Sequence, residues 1–138
     1  MATVDEDELR LLVQKLARRI RNERSDEHVS DSQLSVLFQL DKAGSRSPGQ
    51  LAEHERVSPP SMNRTINSLE AAGLVTRTPS ADDARKVVVS LTDEGAALIR
   101  ETRRLRIAWF SQRLAALPAN ERRAFEAVAP ILRKLADE

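Results

Sequence analysis

VSPPSMNRTINSLEAAG, residues 57–73, is the stretch whose reading decides the fold. Ser58 is a good helix N-cap, Pro59 suits the first helical position, and Pro60 removes a second N–H that has no helical acceptor in any case. Pro60 also restricts Pro59, which points to an irregular first turn. At 100° per residue Met62, Ile66 and Leu69 share one face, while Pro60, Ser61, Asn63, Arg64, Asn67 and Ser68 fall on the other. That outer face is polar and built of small side chains, so the helix can approach a surface closely. Asn and Arg can each make paired hydrogen bonds to base edges in a major groove; the plainer alternative is a solvated helix face.

The flanking residues choose between these alternatives. Upstream, Ser47-Pro48-Gly49-Gln50 has the form of a capping box and opens a short helix through Leu51 and Ala52. Two helices joined by a tight turn at Arg56-Val57 make a helix-turn-helix. Downstream, Gly73 can close the second helix in the left-handed conformation, and Leu74-Val75-Thr76-Arg77-Thr78 reads as a strand. Ser80 to Arg85 has turn composition, and Val87, Val89 and Leu91 alternate on a second strand. A helix-turn-helix followed by a hairpin is a winged helix.

Composition bounds the rest. The 138 residues, 41% hydrophobic but only 3% aromatic, fit one domain of ordinary size with an aliphatic core. No Cys is present, which excludes disulfides, thiolate metal sites and a cysteine redox switch. His28 and His54 have no ligand-like spacing, and neither a metal nor a cofactor is expected. With 22 basic against 21 acidic residues, bulk charge gives no support to nucleic-acid binding, so only local placement can, and non-specific DNA affinity is expected to be modest. No apolar run approaches the roughly 18 residues of a membrane span, and the first residues are acidic where a signal peptide is basic. A soluble, cytoplasmic protein is expected. An enzyme is not, for want of a nucleophile with its base or a phosphate-cradling Gly loop.

The outer segments are helical. Asp5 to Glu8 precede a stripe of Leu9, Leu12, Val13, Leu16 and Ile20, with Arg18, Arg19, Arg21 and Arg24 towards the far end, an order that complements a helix dipole. Ser30 and Gln33 form a second capping box ahead of Leu34, Leu37, Phe38 and Leu40, and Gly44 ends that helix. Thr92-Asp93-Glu94 starts a long helix with Leu98, Thr102, Leu105 and Trp109, about 37 Å to Leu117 at 1.5 Å per residue. Pro118 starts a final helix carrying Phe125, Val128, Leu132 and Leu135, with a kink expected at Pro130. These end helices carry more apolar surface than one winged helix can bury. A second subunit is the simplest cover, a self-contained helical bundle the alternative.

Asp83-x-Arg85-x-x-x-Val89-x-Leu91-Thr92-x-x-Gly95, with Leu51-Ala52, Val57-Ser58-Pro59-Pro60 and Leu69-Glu70-x-x-Gly73-Leu74-Val75, resembles the MarR family of bacterial transcriptional regulators over nearly the whole chain. The resemblance implies a mainly α fold with a small β-wing, in which residues 30–97 form a winged helix-turn-helix DNA-binding region and residues 1–29 and 98–138 a helical dimerisation region. It implies a homodimer, most often a repressor, gripping a pseudo-palindromic double-stranded operator. The helix at 58–73 would enter the major groove and the wing at 79–86 the minor groove, where Arg85 reaches in, steadied by Asp83.

Physics supports these roles, because a narrow minor groove focuses negative potential and suits an Arg on a hairpin tip. The candidate DNA-binding residues are Ser58, Pro60, Ser61, Asn63, Arg64, Asn67, Arg77, Asp83, Arg85 and Lys86. Ser61, Asn63, Arg64 and Asn67 are the base readers among them, and Arg77 and Lys86 are expected on phosphates. The resemblance further implies release by a small aromatic or anionic effector; Arg18, Arg19, Phe38, Arg106 and Trp109 lie on elements that would line its cleft, but no effector site is assigned. A winged-helix protein-interaction module that never meets DNA is the competing function. Three residues depart from the family pattern: Glu55 where a buried Leu is common, Arg56 where Gly is common, and Arg46 where a short strand offers an apolar residue. They predict altered helix-turn packing and put a regular third strand in doubt.

Overall fold

The computed structural model describes residues 3–137, so positions 1, 2 and 138 of the expected helical end region lie outside the described residues. The elements run α1 (Glu6–Arg21), α2 (Asp31–Ala43), α3 (Pro48–Glu55), α4 (Pro59–Ala71), β1 (Val75–Pro79), β2 (Val87–Leu91), α5 (Asp93–Ala115), α6 (Ala119–Glu126) and α7 (Ala129–Asp137). The described residues form two compact units, one of residues 24–104 and one of residues 3–23 with 105–137. This is a mainly α-helical fold with a small two-stranded wing.

Local chemistry sets the helix starts in the 24–104 unit. Ser30 accepts from the Gln33 N–H while the Gln33 amide oxygen accepts from the Ser30 N–H, and Ser47 and Gln50 repeat the arrangement. Each cap is worth about 1 kcal/mol. Val29 and Leu34 hold the N′ and N4 positions of the first box, where a hydrophobic staple forms, and both are buried. Leu34, Val36, Leu37 and Leu40 of α2, Leu51 and Ala52 of α3, and Met62, Ile66 and Leu69 of α4 make the core, closed by Val75, Val89 and Ile99. Ile99 replaces the expected leading contact from Leu98, which is only partly buried, because α5 turns the Gly95–Ile99–Thr102 face inward. Thr102 is fully buried, and its hydroxyl lies 3.2 Å from the Ser25 hydroxyl, which keeps that polar atom satisfied.

β1 and β2 pair antiparallel with Val75 opposite Leu91 and Arg77 opposite Val89. The doubtful third strand reduces to one bridge: Arg46 N–H donates to the Val89 carbonyl at 3.1 Å, and Val89 N–H donates back at 2.7 Å.

In the other unit, none of α1, α6 and α7 contains a buried residue. Leu9, Leu12 and Val13 of α1, Ile131, Leu132 and Leu135 of α7, and Ile107 of α5 are all exposed. Arg106 donates to the carbonyls of Arg21 and Glu23, placing a cation at the C-terminal end of α1 where the helix dipole favours it. The single kinked helix expected after Pro118 is two helices. Pro130 cannot donate to the carbonyl four residues back and clashes with it, so α6 stops at Glu126 and α7 restarts with Pro130 in its first turn, where no N–H is needed.

The start of α5 is fixed to the wing by Thr92. Its hydroxyl donates to the Gly73 carbonyl at 2.6 Å and accepts from the Gly95 N–H at 3.1 Å, while its N–H donates to the Leu74 carbonyl at 3.1 Å. The approach is so close that a Cβ on Gly95 would lie 2.1 Å from the Leu74 oxygen. Gly95→Ala gains helix propensity but forces backbone apart, so it is expected to lower stability by about 1–3 kcal/mol in urea unfolding. An unchanged or raised midpoint would contradict this packing.

Candidate nucleic-acid interface

The turn between α3 and α4 is made without glycine. Arg56 sits at φ 56° and ψ 45°, in the left-handed region, at a cost of about 1–2 kcal/mol for a residue with a Cβ. The Val57 N–H donates to the Ala52 carbonyl at 3.0 Å and Arg56 N–H to Glu53 at 3.2 Å, satisfying the carbonyls that α3 leaves open. Glu55 does not enter the core as the family's Leu would. It is half-buried, accepts a hydrogen bond from the Ser35 hydroxyl at 2.7 Å, and does not pair with Arg46. A surface cavity of about 140 Å³ borders it, reaching Val57, Ser61 and Met62.

Ser58 caps α4 through its hydroxyl, which accepts from the Ser61 N–H at 3.2 Å. The first turn is regular: Met62 N–H closes on the Ser58 carbonyl at 3.0 Å, because neither proline removes a donor the turn would use. With Met62, Ile66 and Leu69 buried, Asn63, Arg64, Asn67 and Ser68 are left exposed along one face, together with Ser58 and Pro60; Ser61 is half-buried. No hydrogen bond or ion pair among the described residues holds the side chains of Asn63, Arg64 and Asn67, which leaves them uncommitted.

The wing closes by its own hydrogen bonds. Ser80 N–H donates to the Lys86 carbonyl at 2.8 Å, and Lys86 N–H to the Asp83 carbonyl at 2.9 Å. Asp83 accepts from the Arg85 N–H at 3.0 Å, from its Nε at 3.2 Å and from its Nη2 at 3.4 Å. The Arg85 side chain is 92% exposed, so this carboxylate orients it without burying it. Lys86 is exposed beside it. The Arg85 guanidinium, and then its backbone N–H, hold the Asp83 carboxyl below its ordinary range, outweighing the opposing effect of burial.

Arg77 is not the open cation the sequence suggests. Its Nη1 donates to Glu70 Oε1 and its backbone N–H to Glu70 Oε2, both at 3.1 Å, and its side chain is only 26% exposed. The signal for this pair is an acid near the end of α4 and a base seven residues on, but nothing in the linear pattern places them together. Of the residues suggested for an effector cleft, Arg19 lies over the Trp109 ring at 5.4 Å, a ring that Arg113 also faces at 4.8 Å, and Phe38, in the other unit, has Arg103 over it at 5.7 Å. Among the described residues no group of three or more His, Cys, Asp or Glu is placed to hold a metal, and no helix is long and apolar enough to cross a membrane.

The profile of the MarR family matches residues 29–87. An uncharacterised HTH-type transcriptional regulator of Mycobacterium bovis is 43% identical over 131 residues, 95% of this chain and 92% of its own length. The chain belongs to the MarR family. A putative transcriptional regulator of Pseudomonas aeruginosa shares the fold at a TM-score of 0.85 with 34% identity, over 96% of this chain and 94% of its own. The transcriptional repressor MdtR of Bacillus subtilis is 34% identical over 63% of this chain and 56% of its own length. This MarR protein is therefore a winged helix-turn-helix, DNA-binding transcriptional regulator of a non-catalytic family. That family assignment speaks against an enzyme and favours the DNA-binding reading over the winged-helix protein-interaction module.

The Asp83–Arg85 link has a pH signature. A carboxyl whose folded pKa is depressed keeps its pairing at and above the ordinary range and loses it only as pH falls through the depressed value. In a carbon-detected NMR titration the Asp83 carboxyl is expected to titrate below the ordinary 3.8, and to move up towards it in Arg85→Ala. An Asp83 midpoint unmoved by that substitution would contradict the pairing.

Proposed function

We propose that this MarR protein is a homodimeric repressor whose α4 reads the major groove of a pseudo-palindromic operator while the wing at 79–86 enters the flanking minor groove. The observation that carries this reading is the uncommitted row Asn63, Arg64 and Asn67 on one exposed face of α4, in the same unit as a hairpin tipped by a 92% exposed Arg85. Asn and Arg make the bidentate contacts that distinguish bases, and Ser58, Pro60 and Ser61 are small enough to let the start of α4 approach the backbone. Arg85, hydrogen-bonded to Asp83 yet exposed, suits a narrow minor groove, and Lys86 suits a phosphate. Unlike these, Arg77 is engaged by Glu70.

Dimerisation is supported by the helices without buried residues, α1, α6 and α7, since the exposed Leu and Val of α1, Phe125 of α6 and the exposed Ile and Leu of α7 require cover. Residues 1–29 and 98–138 would supply that contact and residues 30–97 the DNA contact. A curated relative named as a repressor supports the sign of regulation. Release by a small aromatic or anionic molecule belongs to the same proposal and rests on family likeness alone.

The test uses a duplex selected from random sequences. Arg85→Ala is expected to weaken binding by about 1–3 kcal/mol, roughly 5- to 150-fold, in a fluorescence-anisotropy titration, and affinity is expected to fall steeply with salt. Unchanged binding by Arg85→Ala would remove the wing from the interface.

A further inference from the structure

The strand register gives Glu70 a use that its charge alone would not suggest. Val89 spends both its backbone N–H and its carbonyl on Arg46. Arg77, opposite Val89, therefore belongs to a pair without mutual hydrogen bonds, and its N–H faces away from β2 on the open edge of β1. Open strand edges need covering. Here the cover is one carboxylate on the last turn of α4: Glu70 Oε2 accepts the outward N–H and Oε1 accepts the guanidinium of the same residue. Two contacts, one to backbone and one to side chain, fix a strand against a helix more firmly than a single ion pair between mobile side chains.

We propose that Glu70 and Arg77 form a strut setting the angle between α4 and the wing, so that they are positioning residues for DNA reading and Arg77 is not a phosphate contact. The inference rests on the reading that α4 and the wing bind DNA together. It makes a prediction opposite in sign to that of charge alone. Removing an acid next to a DNA-reading helix should strengthen binding if only Coulomb attraction matters. If Glu70 is a strut, removing it weakens binding.

The experiment compares wild type, Glu70→Gln, Arg77→Ala and the double variant on the selected duplex across a salt series, with residual dipolar couplings of wing and α4 amides measured without DNA. Gln retains an oxygen for the Arg77 N–H and loses the anionic arm, so the fold is kept. Both single variants are expected to lose about three- to fivefold in affinity, the size of one well-placed exposed pair. The double variant should lose no more than the worse single variant, the salt slope should match wild type, and the wing couplings should shrink relative to those of α4. Glu70→Gln binding as well as or better than wild type, with Arg77→Ala flattening the salt slope by about one phosphate contact, would overturn the strut. So would wing couplings that do not respond to either substitution. Wing couplings that respond in a protein binding no duplex would leave the strut standing and overturn the DNA reading instead.

Discussion

Thr92, between β2 and α5, ties together the end of α4, the entry to β1, the end of β2 and the start of α5. Its hydroxyl joins the carbonyl of Gly73, which ends α4, to the N–H of Gly95, which opens α5; its own N–H holds Leu74 at the entry to β1, one residue after β2 has finished. Because Gly95 presents no Cβ, the α5 backbone can lie against the Leu74 carbonyl, and the wing is fixed to α4 at its root. A hairpin of two five-residue strands is marginal alone; anchored this way, and bridged at its other side by Arg46, it becomes a rigid arm.

The near-zero net charge, unpromising for a protein that binds nucleic acid, becomes intelligible once the acids are assigned. Asp83 orients Arg85, Glu70 takes up Arg77, and Glu55 takes the Ser35 hydroxyl beside the turn. Acids of this unit are thus used on aiming and bracing cations and turns. The cost is a weak general attraction to nucleic acid, and the return is that Arg85 is presented in a defined geometry on an exposed tip. Specific contact and preorganisation, rather than bulk field, then carry the proposed affinity.

What could be read from the sequence was what local chemistry decides. Ser30 with Gln33 and Ser47 with Gln50 specify helix starts within four residues, and Met62, Ile66 and Leu69 specify which way α4 faces. Asp83 and Arg85, two residues apart in a turn, could hardly avoid one another. The strand-helix pair Glu70–Arg77 and the pair Ser35–Glu55 were not readable, since they depend on register and packing between elements. The sequence suggests a kink at Pro130 within one helix; its effect is a break, because the helix on its far side can restart with the proline in a first turn. Ile99 lies outside the stripe of Leu98, Thr102, Leu105 and Trp109 that the spacing suggests for α5, although Thr102 of that stripe is buried and Leu98 packs partly against the core.

The central claim is that two copies of α4 and two wings address different grooves of one duplex. Dimethyl sulfate protection on a selected operator separates the grooves, since it modifies guanine N7 in the major groove and adenine N3 in the minor. Two blocks of protected guanine N7 about 34–36 Å apart, each flanked on its outer side by protected adenine N3, are the expected result. A single protected block, or protection confined to one groove, would contradict the account.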